Sequence, residues 1–106
     1  QQQHNNMVKS VKIGGEERPV KFGFSALMNF CDLAGYKLND LGRLGEDMTL
    51  GDAVKLIWCG LKDGARAEKK EFSTSVEDVA DFLDDDIGAL NDVLAVFAES
   101  FTKGEK

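Results

Sequence analysis

Residues 8–24 read VKSVKIGGEERPVKFGF, and their pattern sets the frame for the rest of the chain. VKSVKI (8–13) and PVKFGF (19–24) are short runs rich in β-branched and aromatic residues. Between them lies Gly14-Gly15-Glu16-Glu17, a turn signal. Val11 and Ile13 fall on one face of the first run, while Val20, Phe22 and Phe24 alternate along the second. This spacing predicts a β-hairpin. Pro19 has no amide hydrogen, so it is expected to open the second strand or lie on an edge. A lone hairpin is marginal in water and needs a surface to pack on.

The residues that follow supply that surface as helices. Ser25 is placed to cap a short helix ending near Ala34, with Gly35 as its stop. Phe24, Leu27, Met28 and Cys31 recur at i, i+3, i+4 and i+7, and Phe30, Leu33 and Ala34 widen the stripe. From Tyr36 to Asp47 the pattern weakens into a connector with room for one helical turn. Thr49-Leu50-Gly51-Asp52 forms a capping box. Leu50, Ala53, Val54, Ile57, Trp58 and Leu61 then give the clearest amphipathic helix of the chain, with Gly64 as its expected stop. Residues 65–72 (ARAEKKEF) read as a charged connector. A second capping box, Ser75-Val76-Glu77-Asp78, starts a helix through Phe82 and Leu83. Asp84, Asp85 and Asp86 end it and cap the next. The last helix carries one seam of Ile87, Leu90, Leu94, Phe97 and Phe101, and a second of Ala89, Val93 and Val96. A helix apolar on so wide a front is either central to the core or shared with a partner. The expected fold class is α+β, mainly α: an N-terminal β-hairpin followed by about four short helices in a single domain over 7–106. Residues 1–6, QQQHNN, precede Met7 and read as a tag or added leader.

Composition excludes more than it names. The 106 residues carry 19 Asp and Glu against 13 Lys and Arg, a net charge of −6. A sequence-independent nucleic-acid binder works the other way, by neutralising phosphates, so no nucleic-acid partner is expected. No apolar run is long enough to span a bilayer, and no membrane partner is expected either. The single histidine, His4, lies in the leader, which removes the most usual general base and metal ligand from the domain. Cys31 and Cys59 each sit in an apolar pattern and read as small core residues in a reducing compartment, although a single disulfide between them stays open. Asp84 and Asp86 begin like an EF-hand loop, but Gly88 and Ala95 stand where further ligands belong. Gly42-Arg43-Leu44-Gly45 lacks the spacing of a phosphate loop. No metal, no cofactor and no catalytic residue is therefore expected, and the chain does not read as an enzyme. Residues 75–100 hold eight acids and no Lys or Arg. That is either a solvated acidic face or a docking surface for a basic partner.

The segment Leu56-Ile57-Trp58-Cys59-Gly60-Leu61 resembles the aromatic-small-Gly-Leu helix end of small tail assembly chaperones from long-tailed phages and prophages. In that family a polar connector and a Ser/Thr-capped helix with an acid and a valine follow, as in Ser75-Val76-Glu77-Asp78-Val79 running on to Phe82-Leu83. An opening hairpin, an aromatic-rich helix and a final apolar helix fit as well, so the resemblance spans residues 8–101. Cys59 stands where the family often has alanine, and the connector 65–74 lacks an expected proline.

The resemblance implies binding rather than reaction. Such a chaperone coats the long helical tape measure protein in the bacterial cytoplasm and helps recruit tail tube protein. Such proteins often self-associate. The expected contacts, in a helix-in-groove mode, are Leu94, Phe97 and Phe101, with Trp58 and Leu61 as second choice. The alternative is a small acidic protein–protein interaction module, an adaptor or regulator unrelated to phage.

Overall fold

A computed structural model describes residues 8–37, 40 and 48–102, the last three of these by their backbone alone. The leader and most of the 36–47 connector lie outside the described residues. The order is β1 (Val8–Ile13), β2 (Glu16–Lys21), α1 (Phe24–Ala34), α2 (Leu50–Ala67), α3 (Val76–Asp85) and α4 (Gly88–Thr102). The class is α+β, mainly α, with the hairpin first and, among the described residues, four helices after it. The helices are not all short: α2 has 18 residues, or about 27 Å of rise.

The hairpin turns on two glycines alone, Gly14 (φ 68°) and Gly15 (φ 82°). Positive φ at both central residues is what a two-residue turn of the right twist requires. Glu16 and Glu17 therefore belong to β2, which starts earlier than its apolar residues suggest. Pro19 sits inside the strand opposite Ser10, not at its start. Counting out from the turn pair Ile13 and Glu16, residue 19 is a position whose nitrogen faces away from β1, so proline breaks no ladder bond. Val11, Ile13, Val20 and Phe22 share the inner face and are buried. Arg18 is on that face too. Its Nε donates to the Ile13 carbonyl at 2.9 Å, and its guanidinium lies 4.9 Å from the centre of the Phe82 ring.

Strand β2 stops at Lys21, and Gly23 rather than Ser25 is the N-cap of α1, with no side-chain cap. The early start turns the helix. Ala26, Leu27 and Phe30 face inward, while Phe24 is 81% and Met28 65% exposed. The expected stripe through Phe24, Met28 and Cys31 is thus not the buried one. This helix is apolar on nearly every side and packs mainly against one neighbour, α2, so sequence period alone does not select its inner face. Gly35 closes α1 as expected, with φ 82° and its amide bonded to the Cys31 carbonyl.

Helix α2 lies at the centre, against β2, α1, α3, β1 and α4. Thr49 and Asp52 form the capping box in full, but Leu50 is 70% exposed and takes no part in the core. Gly64 does not stop the helix. A Cβ on Gly64 would come within 2.7 Å of the Val20 nitrogen and closer still to the Pro19 carbonyl. This glycine is where hairpin backbone meets helix backbone. The helix runs on through Ala65–Ala67, and its end is set by Lys69 at φ 58°. The Lys69 amide bonds to Arg66 O at 3.1 Å and the Lys70 amide to Ala65 O at 2.8 Å. That is a Schellman closure with lysine where glycine is usual.

Ser75 and Asp78 form the second capping box, and α3 ends with Asp86 as C-cap. Asp86 serves α4 through its backbone, whose carbonyl accepts from the Ala89 amide at 3.1 Å. Ile87 precedes α4 and is 66% exposed, so it is not part of the inner seam.

Candidate functional site

Helix α4 has two faces. Ala89 and Val93 are fully buried, and Leu90, Val96 and Phe97 pack beside them against the core. The Phe22 and Phe97 rings meet edge to face with centres 5.3 Å apart. The other face looks outward. Ile87, just before the helix, and Asn91 and Ala95 on it lie on this outer side, while Leu94 at its border packs against the core with Leu90 and Phe97. Leu94 is half-buried, and Ile87, Asn91 and Ala95 are exposed. Sequence reading missed Ile87 and Ala95 as outward residues, because apolar residues occupy so many positions of α4 that its inner and outer sides look alike. Alanine also carries little weight in a hydropathy pattern.

The expected contacts do not form one surface. Leu94 is half-buried and packs against the core. Phe97 covers Phe22. The side chain of Phe101 lies outside the described residues. Trp58 is half-buried on α2. Its Nε1 donates to the Thr74 carbonyl at 2.8 Å, Phe72 lies 5.9 Å away, and Lys62 Nζ sits 5.1 Å from the ring centre. Trp58 thus fastens the connector onto α2. Leu61 is buried and lies at one side of a cleft of about 170 Å³ between β2, α2 and the connector. Arg18, Pro19, Ala65, Lys70 and Phe72 line the rest with three glutamates.

All eight acids of residues 75–100, seven in α3 and α4 and Asp86 between them, are exposed. Asp78 is used as a cap, its carboxylate accepting from the Ser75 amide at 3.0 Å. Asp84, Asp85, Asp86 and Asp92 have no ion pair or side-chain hydrogen bond among the described residues. Asp84 and Asp85 stand in the last turn of α3, the end of a helix that favours cations.

A different polar cluster joins α1 to α2. Asp63 is only 2% exposed. Its Oδ1 accepts from Arg66 Nη2 at 2.7 Å and from Arg66 Nε at 3.1 Å. The same Nη2 donates to Ser25 Oγ at 3.0 Å. At the far end of the pair, Tyr36 Oη donates to Asp52 Oδ2 at 2.9 Å. The two helices therefore run antiparallel with a polar tie at each end.

Cys31 is half-buried and Cys59 buried, and both are free thiols. Burial pushes the Cys59 thiol up to about 11, with Lys62 opposing and Asp63 adding to the shift. Burial, then Asp32 and Asp40, also raises the Cys31 thiol. Neither is activated as a nucleophile. The folded state holds the Cys59 proton more tightly than the unfolded chain. This contribution to stability is therefore complete below the ordinary thiol value of 9.0 and is lost as pH rises toward about 11. Urea unfolding above pH 9.0 should show stability falling with pH, and Cys59→Ala should flatten that fall.

Among the described residues no three His, Cys, Asp or Glu side chains are grouped to hold a metal ion. No helix there is long and apolar enough to cross a membrane. Compared with protein-family models, with curated proteins and with solved structures, the chain finds no match.

Proposed function

We propose that this chain is a binding protein with no chemical step, and specifically a phage or prophage tail assembly chaperone. Its client is the tape measure protein, held by an apolar helical segment in the bacterial cytoplasm until tail tube protein assembles around it. The observation that carries the binding function is the set of large apolar side chains left exposed among the described residues: Phe24, Met28 and Leu33 on α1, with Leu50 and Ile87. Large exposed apolar side chains on a small acidic domain are the mark of a surface that meets a partner. The narrower phage reading is supported by the motif around Trp58 and by the order of elements, hairpin first and apolar helix last. Self-association belongs to the same reading. An acidic adaptor unrelated to phage is favoured by one observation, the eight exposed acids of residues 75–100.

The test is the neighbouring genome followed by co-expression. A long helix-rich reading frame downstream should encode a protein that is insoluble alone and co-purifies with this chain. Neighbours unrelated to particle assembly, or a long helical protein that ignores this chain, would remove the chaperone reading.

A further inference from the structure

We propose that Cys31 and Cys59 are a redox pair, which a small-molecule disulfide such as glutathione disulfide oxidises to a bond clasping α1 to α2. The pair is independent of the binding function. The register of the two helices sets it. Ser25 Oγ meets Arg66 Nη2 at 3.0 Å, and Tyr36 Oη meets Asp52 Oδ2 at 2.9 Å. Cys31 lies midway between Ser25 and Tyr36, and Cys59 lies midway between Arg66 and Asp52. Antiparallel packing therefore brings the two cysteines level. Both also lie along the seam. Asp52, Leu56, Cys59, Asp63 and Arg66 recur at i, i+4, i+7, i+11 and i+14, one stripe of α2. The two ends of that stripe are the residues bonded across to the α1 side. On α1, Cys31 follows the buried Phe30 and stands one turn after the buried Leu27, at the rim of the same seam. Packed helices stand about 8–10 Å apart axis to axis. With Cα atoms about 2.3 Å out from each axis, level residues fall near the ~4.4–6.8 Å Cα spacing of a disulfide.

A second observation joins the two thiols. Cys31 adds to the upward shift of the Cys59 thiol, an effect of charge at short range. Their access differs. Cys31 is half-buried and Cys59 buried, so the reagent meets Cys31 first. Cys31 Sγ, as its thiolate, attacks glutathione disulfide and releases one glutathione. Cys59, as its thiolate, then attacks Cys31 Sγ and releases the second. The two thiol protons end on the two glutathione thiolates, so two protein thiols are oxidised and one glutathione disulfide is reduced. Neither cysteine is activated, so the exchange is slow and paced by the opening that exposes Cys59. The product ties α1 to α2 at mid-length, between the two polar ties, and closes the intervening chain into a loop.

The test incubates the full chain with glutathione disulfide, without denaturant, and follows it by intact mass and peptide mapping. The chain has two cysteines, so one internal bridge is possible. The expected product is a monomer lighter by two hydrogens, with the Cys31 and Cys59 peptides linked. Its melting temperature should rise by roughly 10 °C or more and return to the parent value in dithiothreitol. Cys59→Ala should stop with one glutathione on Cys31. Cys31→Ala should react about tenfold more slowly or less, since only the buried thiol remains. A parent chain that keeps one glutathione on Cys31, links to a second copy, bridges only in urea or stays unreacted would overturn the proposal.

Discussion

Gly64→Ala should destabilise this domain by roughly 3 kcal/mol, at the upper end of what one added methyl does in a packed site. With a melting-temperature change of ~4–8 °C per kcal/mol in domains near this size, the fall should exceed about 10 °C. The added Cβ would come within 2.7 Å of the Val20 nitrogen and nearer still to the Pro19 carbonyl. Both obstacles are backbone, so no side chain can rotate away. Relief requires the hairpin to lift from α2, which loosens Val20 and Ile13 together. Alanine would add about 1 kcal/mol of helix propensity, which works against the loss and is included in the expectation. Gly60→Ala is the control. Its Cβ would meet the Phe22 ring, with Cε1 at 2.6 Å, and a ring can swing where a peptide cannot. Its cost should be smaller and should show as a loosened Phe22–Phe97 contact. Urea unfolding followed by circular dichroism checks both. A Gly64→Ala protein as stable as the parent would mean that hairpin and helix do not approach this closely.

Arg66→Ala should cost about 2–3 kcal/mol, because it strips the buried Asp63 carboxylate of the one partner it has among the described residues. Asp63 Oδ2 already has no hydrogen-bond partner, and the substitution would leave Oδ1 in the same state. Arg66 itself is largely exposed, at 63%. The loss therefore comes from the carboxylate left behind, not from an ion pair of high intrinsic worth. The double substitution Asp63→Leu with Arg66→Ala should recover most of it, since removing both charges removes the burial cost. Arg66→Lys should recover little. An ammonium cannot donate through two nitrogens to Asp63 while reaching Ser25 Oγ. A double mutant no more stable than Arg66→Ala would place the cost elsewhere, in the packing of the arginine stem.

What sequence alone revealed is what sequence controls locally. The two capping boxes at Thr49 and Ser75 involve residues three apart, so their chemistry is written in order along the chain. The hairpin and the stop at Gly35 are local in the same sense. The misses are all decisions made by distant neighbours. Gly64 looks like a helix stop until Pro19 is packed on it. Phe24 and Met28 look like core until α2 covers the other side of α1. Asp63 looks like an ordinary surface acid until the fold buries it and Ser25 of α1 meets the same Arg66 nitrogen. The outer side of α4 is not legible in sequence because apolar residues fall on most of its positions, and only burial tells inner from outer. Trp58 and Leu61 were singled out by residue type, and the structure gives both a place in the packing of α2.

Helix α4 joins the rest of the molecule through a narrow set of side chains. Ala89 and Val93 are its fully buried residues, and Phe97 reaches across to Phe22. Central α2, by contrast, is buried along most of its length. Backbone amides report such a difference in time. Those of α2 between Leu56 and Leu61 should exchange with deuterium only when the whole domain opens. Those of α4 should exchange sooner, through a partial opening that leaves hairpin, α1 and α2 together.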